Sequence, residues 1–228
     1  MEEYKGKLIH CNGIRPCQEP AEELKNYIEQ NGIDEESFKN IFFKDDNLEY
    51  IQNSAKAYGI HFHIATHSIP TDSCQEKADI TGLPLERVIK GVYLEDIKTE
   101  LVYALAIPGN RTYVKSTLAE FLNIDNDEIE SRIRKSRWLP IHIKSGTVHP
   151  FVNPQSFTPD GKLEYVLFDE NHLEKRRTEM GLDDFSFTTH PSTGYDNHRI
   201  SIQMNYWEAF LILDDKFGHE RIKKIDLV

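Results

Sequence analysis

The chain has 228 residues, of which 39% are hydrophobic and 29% charged, a composition that excludes intrinsically disordered and fibrous proteins. Its 27 basic and 38 acidic residues give a net charge of −11, so the protein as a whole repels polyanions and any contact with nucleic acid must be local. No apolar run approaches the ~20 residues of a membrane span, and three cysteines are too few for a disulfide framework. Because the first residues also lack a targeting pattern, we expect a cytoplasmic protein.

The N-terminal part of the chain is acidic and predicted to be helical. Residues 1–50 carry 6 Lys and Arg against 12 Asp and Glu. One short helix is predicted after Pro20, a second near Asp34 and a third over Asn47–Tyr58, from apolar side chains at helical spacing. We expect residues 1–47 to form an acidic helical extension and residues 48–228 to form the main domain.

The pattern changes to strands after this region. Ile60, Phe62 and Ile64 alternate with polar residues, which predicts a half-buried strand. Asp72 is predicted to cap a helix that runs to Thr81-Gly82. The following elements are also predicted: buried strands at Val88–Leu94 and Leu101–Ile107 joined by an acidic turn, helices around Leu118 and over Ile129–Ile133, strands at Trp138–Ile143, Leu163–Phe168, Arg199–Met204 and Ile222–Leu227, and a helix from Asn205 through Leu213. Without a steady βαβ alternation, this order favours an α+β fold over a doubly wound sheet.

Common catalytic signatures are missing from the sequence: it has no GxGxxG, phosphate-loop lysine motif, GxSxG or HExxH. His61, His63 and His67 have a spacing that metal ligands can adopt, but a half-exposed strand often carries polar residues outward. The cysteines Cys11 and Cys17 lack the second pair that a zinc site needs. We therefore expect neither a metal nor a cofactor.

Lys90 stands inside an otherwise apolar strand, Val88–Leu94. An ammonium group is costly to bury unpaired, so Lys90 either meets an anion or lies on an edge strand and points to water. A second candidate is the loop of residues 145–151, in which Gly146 would let backbone N–H groups approach a ligand.

Several motifs in one order resemble the YbaK and prolyl-tRNA-synthetase-associated editing domains, a family of aminoacyl-tRNA deacylases. The motifs are a helix ending near Gly82, the run Pro84–Lys90, the turn Pro108-Gly109-Asn110, and the loop Gly146–Phe151. The resemblance covers about residues 48–228 and implies a mixed, barrel-like central sheet flanked by helices. Three features depart from the family pattern: Gly91 and His149 replace its usual residues, and Asn197 lies further from the pair His190-Pro191 than in the family.

The resemblance also implies roles for individual residues. Lys90 would bind the phosphate or ribose of the tRNA 3′ end, and backbone N–H groups at Gly146 would stabilise the oxyanion. The expected substrate-binding residues are His67, Gly91, Thr147, His149, Pro150, Asp169, His190 and Asn197. An aminoacyl ester is already activated, so its hydrolysis asks for positioned water and oxyanion donors rather than for a strong protein nucleophile.

A basic run without acidic residues, residues 131–145, leads into the Gly146 loop. It would guide a tRNA acceptor end, although most charge runs are solvated helix faces. Its members are Arg132, Arg134, Lys135, Arg137 and Lys144.

The expected function is trans-editing: hydrolysis of the ester of a tRNA mischarged with a small or medium amino acid such as alanine, serine or cysteine, with tRNA-Pro as one candidate carrier. The alternatives are a catalytically silent editing-like module that binds tRNA or a synthetase partner, and a hydrolase of another small ester.

Overall fold

The fold comes from a computed structural model that describes residues 8–10, 30, 57, 63–66, 73–81, 84–137, 162–171, 184–188 and 200–228. The described residues contain nine strands: β1 (Leu8–His10), β2 (His63–Thr66), β3 (Ile89–Asp96), β4 (Leu101–Pro108), β5 (Ile133–Lys135), β6 (Lys162–Asp169), β7 (Asp184–Thr188), β8 (Ile200–Asn205) and β9 (Ile222–Ile225). They also contain α1 (Cys74–Thr81), α2 (Lys115–Leu122), α3 (Asn126–Arg132), α4 (Tyr206–Phe217) and a short 3-10 helix, Leu85–Arg87. The expected α+β class is confirmed.

The main sheet has five strands in the order β5-β3-β4-β6-β9. The pairs β3–β4 and β3–β5 are antiparallel, whereas β4–β6 and β6–β9 are parallel, so the sheet is mixed. Within the described residues no pairing joins β5 to β9, and the sheet is open there. The expectation of a mixed sheet is therefore confirmed, while closure into a barrel is not seen.

The hairpin of β3 and β4 is largely buried: β4 is apolar along its whole length, and in β3 the apolar run Val92–Leu94 is followed by Glu95 and Asp96, which are buried as well. Its register pairs Lys90 with Ile107 at one end and Asp96 with Leu101 at the other. β5 pairs only with residues 94–96 of β3. The two ends of β3 therefore have different neighbours.

Helices cover both faces of this sheet. On one face Leu105 and Ile107 of β4 pack with Leu118 of α2 and with Leu227 near the C-terminus, all nearly inaccessible to solvent. On the other face Phe168 of β6 meets Phe210 of α4 edge to face, with 5.6 Å between ring centroids. Burying such side chains contributes roughly 1.5–3 kcal/mol each, so the sheet is a firm base for the groups at its ends.

A second sheet has the order β1-β2-β8-β7, with every pairing antiparallel. Its edge strand β1 pairs Leu8 with Ala65 and His10 with His63. Three residues of the expected N-terminal extension thus form a strand with the main domain. The boundary at residue 47 stays a prediction, as do the three N-terminal helices, which lie outside the described residues except for Gln30 and Ala57.

Two sequence-based predictions were wrong in detail, and a third, the helix cap at Asp72, lies outside the described residues. At the start of α1 the Ser73 hydroxyl accepts the Glu76 N–H (3.2 Å) while the Glu76 carboxylate accepts the Ser73 N–H (3.0 Å), a reciprocal capping box. Ile133 belongs to β5 rather than to the preceding helix, which ends at Arg132. Glu95 and Asp96, expected in the acidic turn between the two strands, are the buried last residues of β3.

Of the other predicted elements, some are confirmed and one lies outside the described residues. The strands at Leu163–Phe168, Arg199–Met204 and Ile222–Leu227 are confirmed within one or two residues. The helix predicted from Asn205 is confirmed at its start but runs to Phe217, four residues beyond Leu213. Strands β1 and β7 were not predicted. The strand predicted at Trp138–Ile143 lies outside the described residues. In the part of the chain that the structure describes, no helix has both the length and the apolar character needed to cross a membrane.

Candidate functional site

Lys90 lies near the start of β3, where the sheet is not covered by β5. Its side chain is half-buried, and its Nζ donates a hydrogen bond to the main-chain carbonyl of Arg111, at 2.6 Å. The acceptor is therefore a neutral carbonyl rather than the anion that was one of the two alternatives for Lys90. Among the described residues no carboxylate is paired with Lys90.

The turn after β4 supplies that carbonyl and is held close to the start of β3. The Gly109 N–H donates to the Val88 carbonyl at 2.7 Å, and the Arg111 N–H donates to the Pro108 carbonyl at 3.0 Å. A Cβ added at Gly109 would lie 2.9 Å from the Cys74 Cβ and 2.9 Å from the Leu85 carbonyl oxygen. Only glycine fits this close approach, which gives a physical reason for the glycine of the Pro108-Gly109-Asn110 motif.

The first turn of α1 brings Cys74 toward Lys90 and places Lys77 near Cys74. Burial raises the pKa of the Cys74 thiol, against the opposing effect of the positive charges of Lys77 and Lys90. Burial also holds the pKa of Lys77 well below its ordinary value, because its side chain is 4% exposed. The sequence analysis did not predict Cys74 or Lys77 as site residues. The sequence feature that could have identified them is a lysine three positions after a cysteine in a short helix.

Asp169 ends β6 at the same end of the sheet as Lys90. The register pairs Lys90 with Ile107, and pairs the neighbouring Ala106 with Phe168. Asp169 is 1% exposed, and its Oδ1 accepts the backbone N–H of Leu227 at 3.1 Å. This expected substrate-binding carboxylate therefore anchors the C-terminal segment to the end of the sheet.

Gly91, the other described residue of the expected substrate site, pairs with Ala106 in the β3–β4 ladder. It is one position from Lys90, so it belongs to the opposite face of the sheet. The remaining expected site residues lie outside the described residues: His67, Lys144, Gly146, Thr147, His149, Pro150, His190 and Asn197.

The described part of the basic run, residues 132–137, contacts the two carboxylates at the other end of β3. Arg132, the last residue of α3, donates from Nε and Nη2 to both oxygens of Asp96, at 2.7–3.0 Å. Asp96 also accepts the Lys98 N–H (2.9 Å) and the Thr99 hydroxyl (2.9 Å). Although burial raises the pKa of Asp96, the bonds from Arg132, Lys98 and Thr99 outweigh it and hold that pKa below its ordinary value.

Glu95 points to the other face and holds the residues that follow. Its carboxylate accepts from Arg134 Nε at 2.6 Å and from the Arg137 N–H at 3.1 Å. The Ser136 hydroxyl lies 3.5 Å from its Oε2, and Arg137 Nε lies 3.7 Å from its Oε1. Lys135, between these arginines, is exposed. The carboxylates Glu95 and Asp96 thus fix the course of residues 132–137.

The part of the chain that the structure describes contains no group of three or more His, Cys, Asp or Glu side chains arranged to hold a metal ion. His61 and His67 lie outside that part.

Comparison with protein-family models finds no match, and comparison with curated proteins finds none. Among solved structures the chain is similar to the hypothetical protein APE2540, at 16% identity and a TM-score of 0.49, covering 77% of this chain and 98% of that one. It is similar to a scaffold used in computational epitope grafting, at 13% identity and a TM-score of 0.48, covering 79% and 97%. It is also similar to a protein proposed to be a trans-editing enzyme for prolyl tRNA synthetase, at 11% identity and a TM-score of 0.46, covering 79% and 97%. Similarity at this level leaves the function to be argued from the residues of this chain.

Proposed function

We propose that the protein is a trans-editing aminoacyl-tRNA deacylase, which hydrolyses the ester of a tRNA mischarged with a small or medium amino acid such as alanine, serine or cysteine. The main observation behind the proposal is that the half-buried ammonium of Lys90 donates its hydrogen bond to a neutral group, the Arg111 carbonyl. The ordered motifs around Lys90 and Gly109, which resemble the editing domains, give the chemistry to test.

In this proposal Lys90 binds the phosphate or ribose at the 3′ end of the tRNA. An anionic acceptor makes a stronger hydrogen bond with an ammonium than a neutral carbonyl does, so the ligand would compete with Arg111 for Lys90 Nζ. The turn of residues 108–110 holds that carbonyl within reach of the start of β3. Lys90 is thus oriented before the ligand arrives, which lowers the entropic cost of binding.

The hydrolytic step in this proposal follows from the activated ester. Water attacks the ester carbonyl, the bond to the ribose oxygen breaks, and the products are the free amino acid and the intact tRNA. Backbone N–H groups at Gly146, which lies outside the described residues, are the expected oxyanion donors. No metal or cofactor takes part in this step.

The test is deacylation of a panel of mischarged tRNAs, tRNA-Pro among them, by the full chain and by Lys90→Ala. Losing a charge-assisted hydrogen bond, worth roughly 1.5–3 kcal/mol, should lower the rate by about ten- to a hundred-fold. Lys98→Ala, which removes an exposed cation from the far end of the hairpin, is the matched control and should keep the wild-type rate.

Each rival function has its own outcome in this panel. Release of no amino acid from any tRNA would identify a silent binding module, whereas cleavage of small esters but not of tRNA would identify another hydrolase. Wild-type turnover by Lys90→Ala would remove Lys90 from the site.

A further inference from the structure

The Arg111 carbonyl that accepts from Lys90 lies in the short segment between β4 and α2. One end of this segment is bonded to the start of β3 through the Gly109 N–H. At the other end, the Val114 N–H donates to the Leu227 carbonyl at 2.7 Å. The position of the Arg111 carbonyl therefore depends on residue 227 as well as on β3.

Leu227 is itself held by Asp169, the last residue of β6. The Leu227 N–H donates to Asp169 Oδ1 at 3.1 Å, while the Leu227 carbonyl accepts from Val114. Asp169 is 1% exposed and Leu227 is fully buried, in the same core cluster as Ile107 of β4 and Leu118 of α2. Through its two backbone groups, this one residue joins the end of β6 to the start of α2.

The Asp169 carboxylate is a strong anchor for this connection. A hydrogen bond to an ionised oxygen is stronger than one between neutral groups, and losing it in the interior leaves the Leu227 N–H without that acceptor. A second bond, from Asn171 Nδ2 to Asp226 Oδ1, joins the same two segments at an exposed position. A carboxylate as buried as Asp169 is better placed to hold the chain than to bind a ligand.

We propose that Asp169 is a positioning residue for Lys90. It holds Leu227 and, through Leu227, Val114 at the end of the segment that carries the Arg111 carbonyl. That carbonyl orients the Lys90 ammonium. The part that the oriented ammonium plays in deacylation rests on the proposed function, whereas the orientation itself does not. The resemblance to editing domains implies instead that Asp169 binds substrate directly, and the two roles have different consequences.

The first experiment measures how fast the lysines of the native, full-length protein are acetylated by acetic anhydride, with mass spectrometry to identify the sites. Losing one hydrogen bond shifts an equilibrium by about two- to ten-fold, so Asp169→Ala should speed the labelling of Lys90 by about that factor. Lys98, exposed at the far end of the hairpin, is the internal reference and should react at the wild-type rate.

Two further variants test the connection at separate points. Val114→Pro removes the N–H that Leu227 accepts and leaves Asp169 in place; Val114 is 42% exposed and has φ of −88°, near the range of proline. It should speed the labelling of Lys90 as Asp169→Ala does. Asp169→Asn keeps an oxygen that can accept the Leu227 N–H, so its Lys90 should be labelled more slowly than that of Asp169→Ala.

Asp96→Asn is the control for a general loss of stability. It changes an equally buried carboxylate at the opposite end of β3 and should leave the labelling of Lys90 unchanged. Thermal unfolding of every variant verifies that it is folded under the labelling conditions.

Deacylation of a mischarged tRNA separates positioning from direct binding of substrate. If Asp169 acts through Lys90, Asp169→Ala should lower kcat/KM in the wild-type background but add little to the loss caused by Lys90→Ala. Direct binding predicts that the two losses multiply.

Wild-type labelling of Lys90 in both Asp169→Ala and Val114→Pro would overturn the inference. Equally fast labelling in Asp96→Asn, or in Asp169→Asn and Asp169→Ala, would also overturn it, as would losses of kcat/KM that multiply. A wild-type protein that hydrolyses no tRNA refutes the proposed catalysis alone, because the labelling of Lys90 is measured without it.

Discussion

The charged residues at the two ends of β3 have different kinds of partner. At its last residues Glu95 and Asp96 are almost fully buried, and their oxygens accept from arginines, backbone N–H groups and hydroxyls. At its beginning Lys90 donates to a neutral carbonyl, beside a second, buried lysine at position 77. Charges matched by opposite charges hold the fold together, whereas a cation left on a neutral acceptor is suited to a ligand.

This difference explains why the most basic part of the sequence is not, as a whole, a free binding surface. Arg132 joins α3 to the hairpin, and its pKa is raised by the hydrogen bond to Asp96. Charge runs in a sequence count cations without showing which carboxylates they meet. Glu95 and Arg134 are 39 residues apart in the chain, yet they are directly opposite each other in the β3–β5 register.

The largest change in stability is expected when the ion pair at the Asp96 end of β3 is broken. Asp96→Asn leaves Arg132 without its charge partner at a buried position and should lower the free energy of unfolding by about 3 kcal/mol. Arg134→Gln removes an ion pair whose arginine is half exposed and should cost at most about 1 kcal/mol. Urea denaturation at pH 7 measures both; equal losses would show that burial does not separate the two pairs.

The loss of stability caused by Asp96→Asn should depend on pH. Because hydrogen bonds hold the pKa of Asp96 below its ordinary value despite burial, its contribution is present above about pH 4, the pKa of an unfolded aspartate. The contribution is lost as the pH falls through the lowered pKa of the folded state. The difference between wild type and Asp96→Asn should therefore shrink in acid, and a constant difference would contradict the ion pair as its source.

A smaller effect, of opposite sign, is expected at Lys77. Its folded-state pKa is lowered by burial, so between that pKa and about 10.4 the unfolded chain binds more protons than the folded one, and stability rises with pH. Lys77→Met removes this dependence, so the variant should gain stability relative to the wild type as the pH falls from 10 toward 7. Denaturation from pH 7 to 10 gives the slope, with exposed Lys98→Met as control.

The Lys77→Met variant also tests whether the two ends of β3 carry charge differently. If Lys77→Met is as pH-dependent as the wild type, the group that titrates is elsewhere and the Lys90 end holds no buried amine of low pKa. Should the variant be destabilised at every pH, Lys77 contributes to the fold as the arginines do at the opposite end.

Sequence patterns predicted the elements of the sheet better than its closure. Apolar runs located β3 and β4, and helical spacing located α2 and α4, because burial against a sheet selects those periods. The three-residue strand Ile133–Lys135 was missed, since it is too short and too polar to show a period of two. It forms because Glu95 and Asp96 bind the arginines beside it, a tertiary cause that no local pattern contains.

At the site the sequence singled out Lys90 but not its surroundings. A lysine in an apolar strand is visible in the sequence, whereas the Arg111 carbonyl that it contacts depends on how the next turn folds back. Cys74 and Lys77 reach the same end only because α1 packs on that turn, and the Leu227 N–H that Asp169 binds is 58 residues away. The Gly146 loop, expected to complete the site, stays a prediction.

Gly109→Ala should disturb the start of β3 by moving the backbone of the turn that follows β4. The new Cβ would lie 2.9 Å from the Cys74 Cβ and 3.0 Å from the Val88 carbonyl oxygen, neither of which is the end of a flexible side chain. Such overpacking should cost about 1–3 kcal/mol and move the turn that carries the Arg111 carbonyl, so deacylation should fall as well.

Gly218→Ala is the matched control for this substitution. Gly218 has φ of +80° and nothing within 4 Å of an added Cβ, so alanine there is strained without a clash and costs about 1–2 kcal/mol. Both variants lose stability, but only Gly109→Ala should lose deacylation per folded molecule. Equal activity of the two would show that the position of the turn does not matter to catalysis.

The smallest expected effect is that of removing metal ions. If the cation at the start of β3 is Lys90 and the ester needs no Lewis acid, deacylation should survive exhaustive chelation with EDTA unchanged. The double variant His61→Ala with His63→Ala should keep the wild-type rate for the same reason. Both rates, measured on one mischarged tRNA at fixed pH, should agree within error with the rate of the untreated wild-type protein. Loss of activity on chelation, restored by zinc and absent in the histidine variant, would make the strand histidines metal ligands and would contradict a mechanism without a Lewis acid.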